Sequence, residues 1–348
     1  MEQQLFDACY QGKADEVRKL LRNAQINTNW QKDSRNFDRV IIEISRNQMK
    51  LNNANECGPT PFYVACQEGH IGVVKLLLND ERVDCNQVSK GEISPSYIAC
   101  NNGHIEIVKL LINNKKVDIN QSNKNEATPF LVACWQGHIQ IVTLLLNDKR
   151  VEINKANNNG ETPFLIACEN GHIEIVTLLL HDKRVEINKA NRNEWTPFLI
   201  TCSQGYIEIV KLLLNDERVD INKTNDDGVT PFCIACSNGH IEIVQLLLND
   251  ERVDINKARD DGLTPILIAC KEGYIDIVKL LLNDKRIDAN QAKDEATPFL
   301  VACYYGHPGV VKILLNDERI DVNKADNNDR TPFYVACQEG HIEIVKLL

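Results

Sequence analysis

The chain has 348 residues, 43% of them hydrophobic and 25% charged, with a formal net charge of -10 at pH 7. This is the balance of a chain with a packed core, not of a disordered or fibrous one, and the negative charge without a Lys/Arg cluster argues against a nucleic-acid partner. No stretch reaches the roughly 18 consecutive apolar residues of a membrane span, and Met1 to Val17 is polar where a secretory leader needs an apolar run, so a soluble, cytoplasmic protein without membrane insertion is expected.

In chain order, Leu5 to Asn23 carries Ala8-Cys9, Gly12 and Leu20-Leu21 and predicts an N-terminal helix pair, a capping unit over residues 1–27. Residues 28–54 lack a Thr-Pro start and read as a degenerate unit with an irregular insertion around Trp30 to Arg39. From residue 55 a period takes over: Thr-Pro or Ser-Pro begins at Thr60, Ser94, Thr128, Thr162, Thr196, Thr230, Thr264, Thr297 and Thr331. Residues 55–348 therefore read as nine units of about 34 residues in one continuous solenoid, the last stopping inside its second helix at Leu348. Because a solenoid needs a polar terminal cap, the chain is expected to be a fragment of a longer protein.

Each part of the unit has a physical reading. Thr162 can cap a helix whose first residue is Pro163, where the missing N–H costs nothing. Gly171 can take the left-handed conformation that ends this helix, and a second helix follows His172. In the second helix of another copy, Glu106, Lys109 and Asn113 form one solvent stripe while the remaining residues are Ile, Val or Leu, so the helix must be flanked on most sides. Such a pair cannot bury itself, and copies must stack to share a core.

The unit resembles the ankyrin repeat, with Thr/Ser-Pro, Ala/Thr-Cys and Gly-His or Gly-Tyr in register along nearly the whole chain. The resemblance implies an all-α repeat solenoid: helix-turn-helix pairs joined by β-turn fingers in a curved linear stack. Two departures matter. The family's His after Thr-Pro-Leu is replaced by Tyr63, Tyr97, Leu131, Leu165, Leu199, Cys233, Leu267, Leu300 and Tyr334, so apolar packing must substitute for its hydrogen bond. The loop after the second helix is one residue longer than usual and lacks a Gly, and Asn147 in Asn147-Asp148-Lys149-Arg150 is expected to supply a left-handed cap.

Nothing in the chain reads as catalytic, and neither a metal nor a cofactor is expected. Ten of the 13 cysteines recur at one position of the period, from Cys9 to Cys337, which reads as packing of reduced thiols and not as a disulfide framework. Cys233, Cys236 and His240 could suggest a metal cluster, but Cys236 and His240 are routine repeat positions and a structural zinc site wants four ligands. Seven of the eight histidines fill the inter-helix turn, with Tyr206 and Tyr274 in the same place elsewhere, so their role is structural hydrogen bonding. The Asp-x-Asn and Glu-x-Asn sites, such as Asn120 and Asn188, read as ties for the inter-repeat turn. The family resemblance also implies that they are potential targets of an asparaginyl hydroxylase.

Function then rests on the surface. The resemblance implies a protein or peptide partner bound on the concave face and finger tips, by a chain expected to be monomeric. Positions that vary between near-identical copies mark that face. Trp135, Gln136, Trp195, Tyr304 and Tyr305 stand where other copies are mostly small or polar, and aromatic residues dominate interface hot spots. Arg192, with Lys124, makes the Trp-bearing part less acidic than the part holding Asp226, Asp227, Asp260 and Asp261, which suggests an elongated ligand with an apolar and a basic stretch. The alternatives are a regulatory or substrate-recruiting arm of a larger enzyme, such as a kinase or ubiquitin ligase, and a structural spacer.

Overall fold

The computed structural model describes residues 2–29, 59–89 and 91–348. Among these residues the chain forms twenty α-helices and no β structure beyond one isolated bridge between Lys293 and Ala296. It is an all-α repeat solenoid, as the period implies. The chain divides into two compact units, Met1–Ala167 with Leu178–Val185, and Cys168–Thr177 with Glu186–Leu348.

Each unit is a stack of helix pairs in its own right. In the first, the inner helices Glu2–Tyr10, Pro61–Gln67, Pro95–Asn101 and Pro129–Trp135 lie side by side, and the outer helices Ala14–Asn29, Ile71–Leu78, Ile105–Asn113 and Ile139–Leu146 do the same. In the second, inner helices Pro197–Gln204 to Pro332–Gln338 and outer helices Ile207–Leu214 to Ile342–Leu347 repeat the arrangement. The N-terminal pair packs directly on the pair that begins at Pro61. Its second helix runs to Asn29, past the boundary expected at residue 27. From residue 30 on, the degenerate unit read over 28–54 lies outside the described residues.

The capping expected from the sequence is present in each of the nine copies. The Thr230 hydroxyl accepts the backbone N–H of Cys233 at 3.0 Å with Thr230 extended and Pro231 at the first helical position, and Thr162 does the same for Leu165. A helix as short as Pro231–Ser237 has no stability of its own in water, so packing must supply it. Phe62 and Phe130 in the first unit, and Phe198, Phe232 and Phe299 in the second, are essentially fully buried. Burial of one such ring stabilises by about 1.5–3 kcal/mol. Leu131, Leu199 and Leu267, which stand at the family's His position, are equally buried, so apolar packing does replace that hydrogen bond.

Successive pairs are keyed together at the turn between the helices. His240 donates its Nε2–H to the Ser203 carbonyl of the preceding pair at 2.9 Å, and His70, His104, His138, His307 and His341 make the same bond. The ring lies close against the preceding glycine: a Cβ on Gly205 would stand 2.7 Å from the His240 ring, and one on Gly171 2.9 Å from Tyr206. Gly171 also has φ +72, so this position excludes a side chain twice over, by backbone conformation and by space.

The outer helices end differently from the expectation. Asn147 has φ -77 and ψ -13, a right-handed conformation, and so supplies no left-handed cap. Asp148 accepts the backbone N–H and the guanidinium of Arg150, and that guanidinium donates onward to the Ile112 carbonyl at the end of the preceding outer helix. Arg184, Arg252, Arg286 and Arg319 repeat the reach, to Leu146, Leu214, Leu248 and Leu282. The extra loop residue thus lets a cation from the next pair satisfy carbonyls that a helix end leaves open. Four residues further on, the asparagines tie the turns as expected. Asn222 donates Nδ2–H to the Arg252 carbonyl and accepts the Asp254 N–H on Oδ1, and Asn86, Asn120, Asn188, Asn256 and Asn290 do the same.

Two outcomes follow from this keying. Gly171→Val should lower stability by more than about 2 kcal/mol, because a β-branched residue is strained at positive φ and also collides with Tyr206, a loss that urea titration measures. Hydrogen bonds from Arg150, Arg184, Arg252 and Arg286 hold the carboxyls of Asp148, Asp182, Asp250 and Asp284 below the usual carboxylate range. The folded chain therefore binds fewer protons than the unfolded one. That stabilisation is complete above about pH 4–5 and is lost as the pH falls through the lowered values. Melting temperature should drop steeply on acidification below that point, and less steeply in Arg252→Ala.

Candidate partner-binding face

Five of the fingers are organised by one side chain at the base. Asn225 accepts the backbone N–H groups of Asp227 and Val229 on Oδ1, an Asx turn that folds the finger over the start of the next inner helix. Asn123, Asn157, Asn191 and Asp326 do the same in other copies. These residues are not among the candidates named from the sequence, although Asn at 123, 157, 191 and 225 repeats at the period of 34.

Fingers join edge to edge within each unit. In the first, Asn158 N–H donates to the Asn125 carbonyl at 2.9 Å. In the second, Asp226 donates to Asn193, Asp260 to Asp227 at 3.0 Å, and Asn327 to Asp294. At the tip the chain crosses into positive φ, with Gly160, Gly228 and Gly262 in three copies and Glu92, Glu126, Glu194, Glu295 and Asp329 in the others. An acidic side chain at such a position costs roughly 1–2 kcal/mol relative to an ordinary backbone conformation.

The residues singled out from the sequence fall as follows. In the first unit, Trp135 is the last residue of its inner helix and 49% exposed. Beside it, Gln136 reaches back to donate to the Asn101 side chain at 3.2 Å. In the second unit, Arg192 is exposed at a finger tip, whereas Trp195 is half-buried at the finger base, its N–H held by Asn191. The equivalent Val229 is buried, which marks this position as the floor of the finger and not its open edge. Asp226, Asp227, Asp260 and Asp261 are exposed on adjoining fingers, but Asp261 is committed: it accepts the Leu263 N–H and pairs with Arg259 at 3.3 Å. Tyr304 and Tyr305, at the end of the inner helix Pro298–Tyr305, are 37% and 47% exposed. Their rings meet edge to face at 5.1 Å, and Lys271 Nζ stands 5.7 Å from the Tyr305 ring centre.

The cluster of Cys233, Cys236 and His240 is occupied otherwise. Cys233 and Cys236 are buried in the inner helix, where burial pushes the Cys233 thiol up to about 12, and His240 is spent on the Ser203 carbonyl. Among the described residues no three His, Cys, Asp or Glu side chains gather as metal ligands. The inner-helix ends carry aromatics and the fingers carry charge.

A family model described as ankyrin repeats, three copies, matches residues 3–123, 81–157, 130–225, 198–293 and 283–348. Comparison with curated proteins finds no match.

The fingertip strain can be measured. Glu126→Gly places at φ +61 the residue that sibling fingers use, and should raise stability by up to about 1 kcal/mol in urea titration, the relief being partly offset by the greater freedom of Gly in the unfolded chain.

Proposed function

The chain belongs to the ankyrin-repeat family, whose repeats are generally protein-interaction modules, and we propose that it works as a scaffold, without catalysis of its own, holding a partner protein on its inner-helix and finger face. The observation that carries this reading is the exposure of Trp135, Tyr304 and Tyr305 at the last turn of inner helices, where sibling copies carry Gln67, Glu169, Ser203 or Ser237. Large aromatics cost little side-chain entropy when they are immobilised and supply much of the energy at protein interfaces.

The remaining surface supports the same reading. On the outer helices, Glu106 with Lys109 and Glu208 with Lys211 pair within one helix, which spends the charge locally. The inner-helix ends instead carry residues that differ from copy to copy. The buried thiols, with burial raising those of Cys9 and Cys303 to about 12, suit a reducing, cytosol-like compartment.

Affinity capture with the full chain tests the scaffold. Trp135→Ala, and Tyr304→Ala with Tyr305→Ala, should each weaken the captured partner at least about tenfold in subsequent titration, the scale of a lost hot spot. The outer-helix substitution Lys211→Ala should leave the partner in place. Partners retained equally by all three variants would place the contact elsewhere.

A further inference from the structure

Within the second unit the aromatic pair and the fingers share one chemical preference. The face of Tyr305 already accepts an ammonium group, that of Lys271, and Tyr304 presents a second exposed ring beside it. Cations are drawn to such rings by the electron-rich face. Along the fingers, Lys223 pairs with Glu194, Arg259 with Asp261, Lys324 with Glu295 and Arg330 with Asp326. After these pairs are counted, Asp226, Asp227, Asp260, Asp294 and Asp329 have no cation within 4.0 Å, and against them stand the unpaired finger cations Arg192, Lys257 and Lys293.

We propose that the inner-helix and finger face of the second unit docks an extended basic segment of a partner protein, with its cations paired to the finger carboxylates and one of them seated on the Tyr304–Tyr305 pair. The spacing adds a constraint. Neighbouring pairs in the stack repeat at about 10 Å, while an extended segment in the polyproline II conformation advances about 3.1 Å per residue and turns once every three residues, so a cation at every third residue stays on one face and meets one finger after another. An acidic segment meets like charge here, and a purely aliphatic one strips water from carboxylates without replacing it.

This inference rests on the scaffold reading and deepens it by naming the partner's chemistry. The test is fluorescence anisotropy with the purified full chain at about 0.15 M salt and three labelled peptides of equal length. One has Arg at every third position among Ser and Gly, one has the same composition with the Arg clustered at one end, and one has Glu in place of Arg. The spaced Arg peptide should bind, the clustered one more weakly and the Glu peptide not at all. Tyr304→Ala with Tyr305→Ala, and separately Asp226→Asn with Asp227→Asn and Asp260→Asn, should each weaken the spaced peptide by about tenfold. Neutralising the outer helices instead, by Glu208→Gln, Glu242→Gln and Asp276→Asn, removes the same charge and should change affinity by less than about twofold.

Failure of the spaced peptide to bind, binding of the Glu peptide, or equal loss in the outer-helix variant would overturn the assignment, and equal binding of the clustered peptide would overturn the spacing. If captured partners depend on Tyr304 and Tyr305 while no basic peptide binds, the partner class is wrong and the scaffold reading stands. If captured partners ignore those residues, the scaffold face itself is misplaced.

Discussion

A seven-residue helix such as Pro231–Ser237 makes too few backbone hydrogen bonds to repay the entropy of ordering it, and the outer helix behind it is barely longer. Neither has a second side on which to build a core except that of the next copy. The whole fold therefore depends on how closely one pair can approach its neighbour. That distance is set where an aromatic ring, His or Tyr, lies against a glycine with no side chain and, in the His copies, where the ring N–H reaches a carbonyl at the end of the preceding inner helix.

Once that approach is fixed, the other repeated residues follow as answers to polar groups that close packing leaves unsatisfied. The carbonyls ending an outer helix meet the guanidinium of the next copy, and the turn below it is pinned by an asparagine amide that gives one bond and takes one. The cysteines buried in the inner helices pack there and remain thiols because burial disfavours the thiolate. Each of these residues serves the stack, so none is free to serve a ligand. The positions that remain include the last turn of the inner helix and the finger, where neighbouring copies differ.

Much of this was legible in the residues. Thr-Pro marks a helix start and Gly-His its end by local rules that need no partner, and an outer helix apolar on nearly every side demands neighbours. What escaped the reading depends on contacts between copies or on backbone angles. Asn147 was expected to be left-handed because Asn tolerates that conformation, yet the cap comes from an arginine in another copy, a residue 38 positions away from the carbonyl it serves in the Arg184 and Arg252 cases. Trp195 looks like an exposed aromatic in the sequence, but its position is the one Val229 fills at the finger floor, so its indole is half-buried. Asp226 and Asp261 look alike as acidic letters, and only the placement of Arg259 separates a carboxylate that is paired from one that is not.

The fingertips show where the chain accepts a cost that the fold does not require. Gly160, Gly228 and Gly262 prove that glycine fits the left-handed tip, yet Glu92, Glu126, Glu194 and Glu295 occupy the same place with φ between 55 and 62. Glutamate has neither the freedom of glycine nor the short side chain with which Asn and Asp settle into this conformation. The stack gains little from these residues, since Glu194 and Glu295 meet only exposed lysines and pairs of that kind contribute at most about 1 kcal/mol. A side chain held at the tip at a cost of similar size is better explained by what it presents to solvent than by what it holds together. Within the second unit, Glu194 and Glu295 stand on the row of fingers that also carries the unpaired aspartates, and both make those fingers more acidic than the folding of the chain requires.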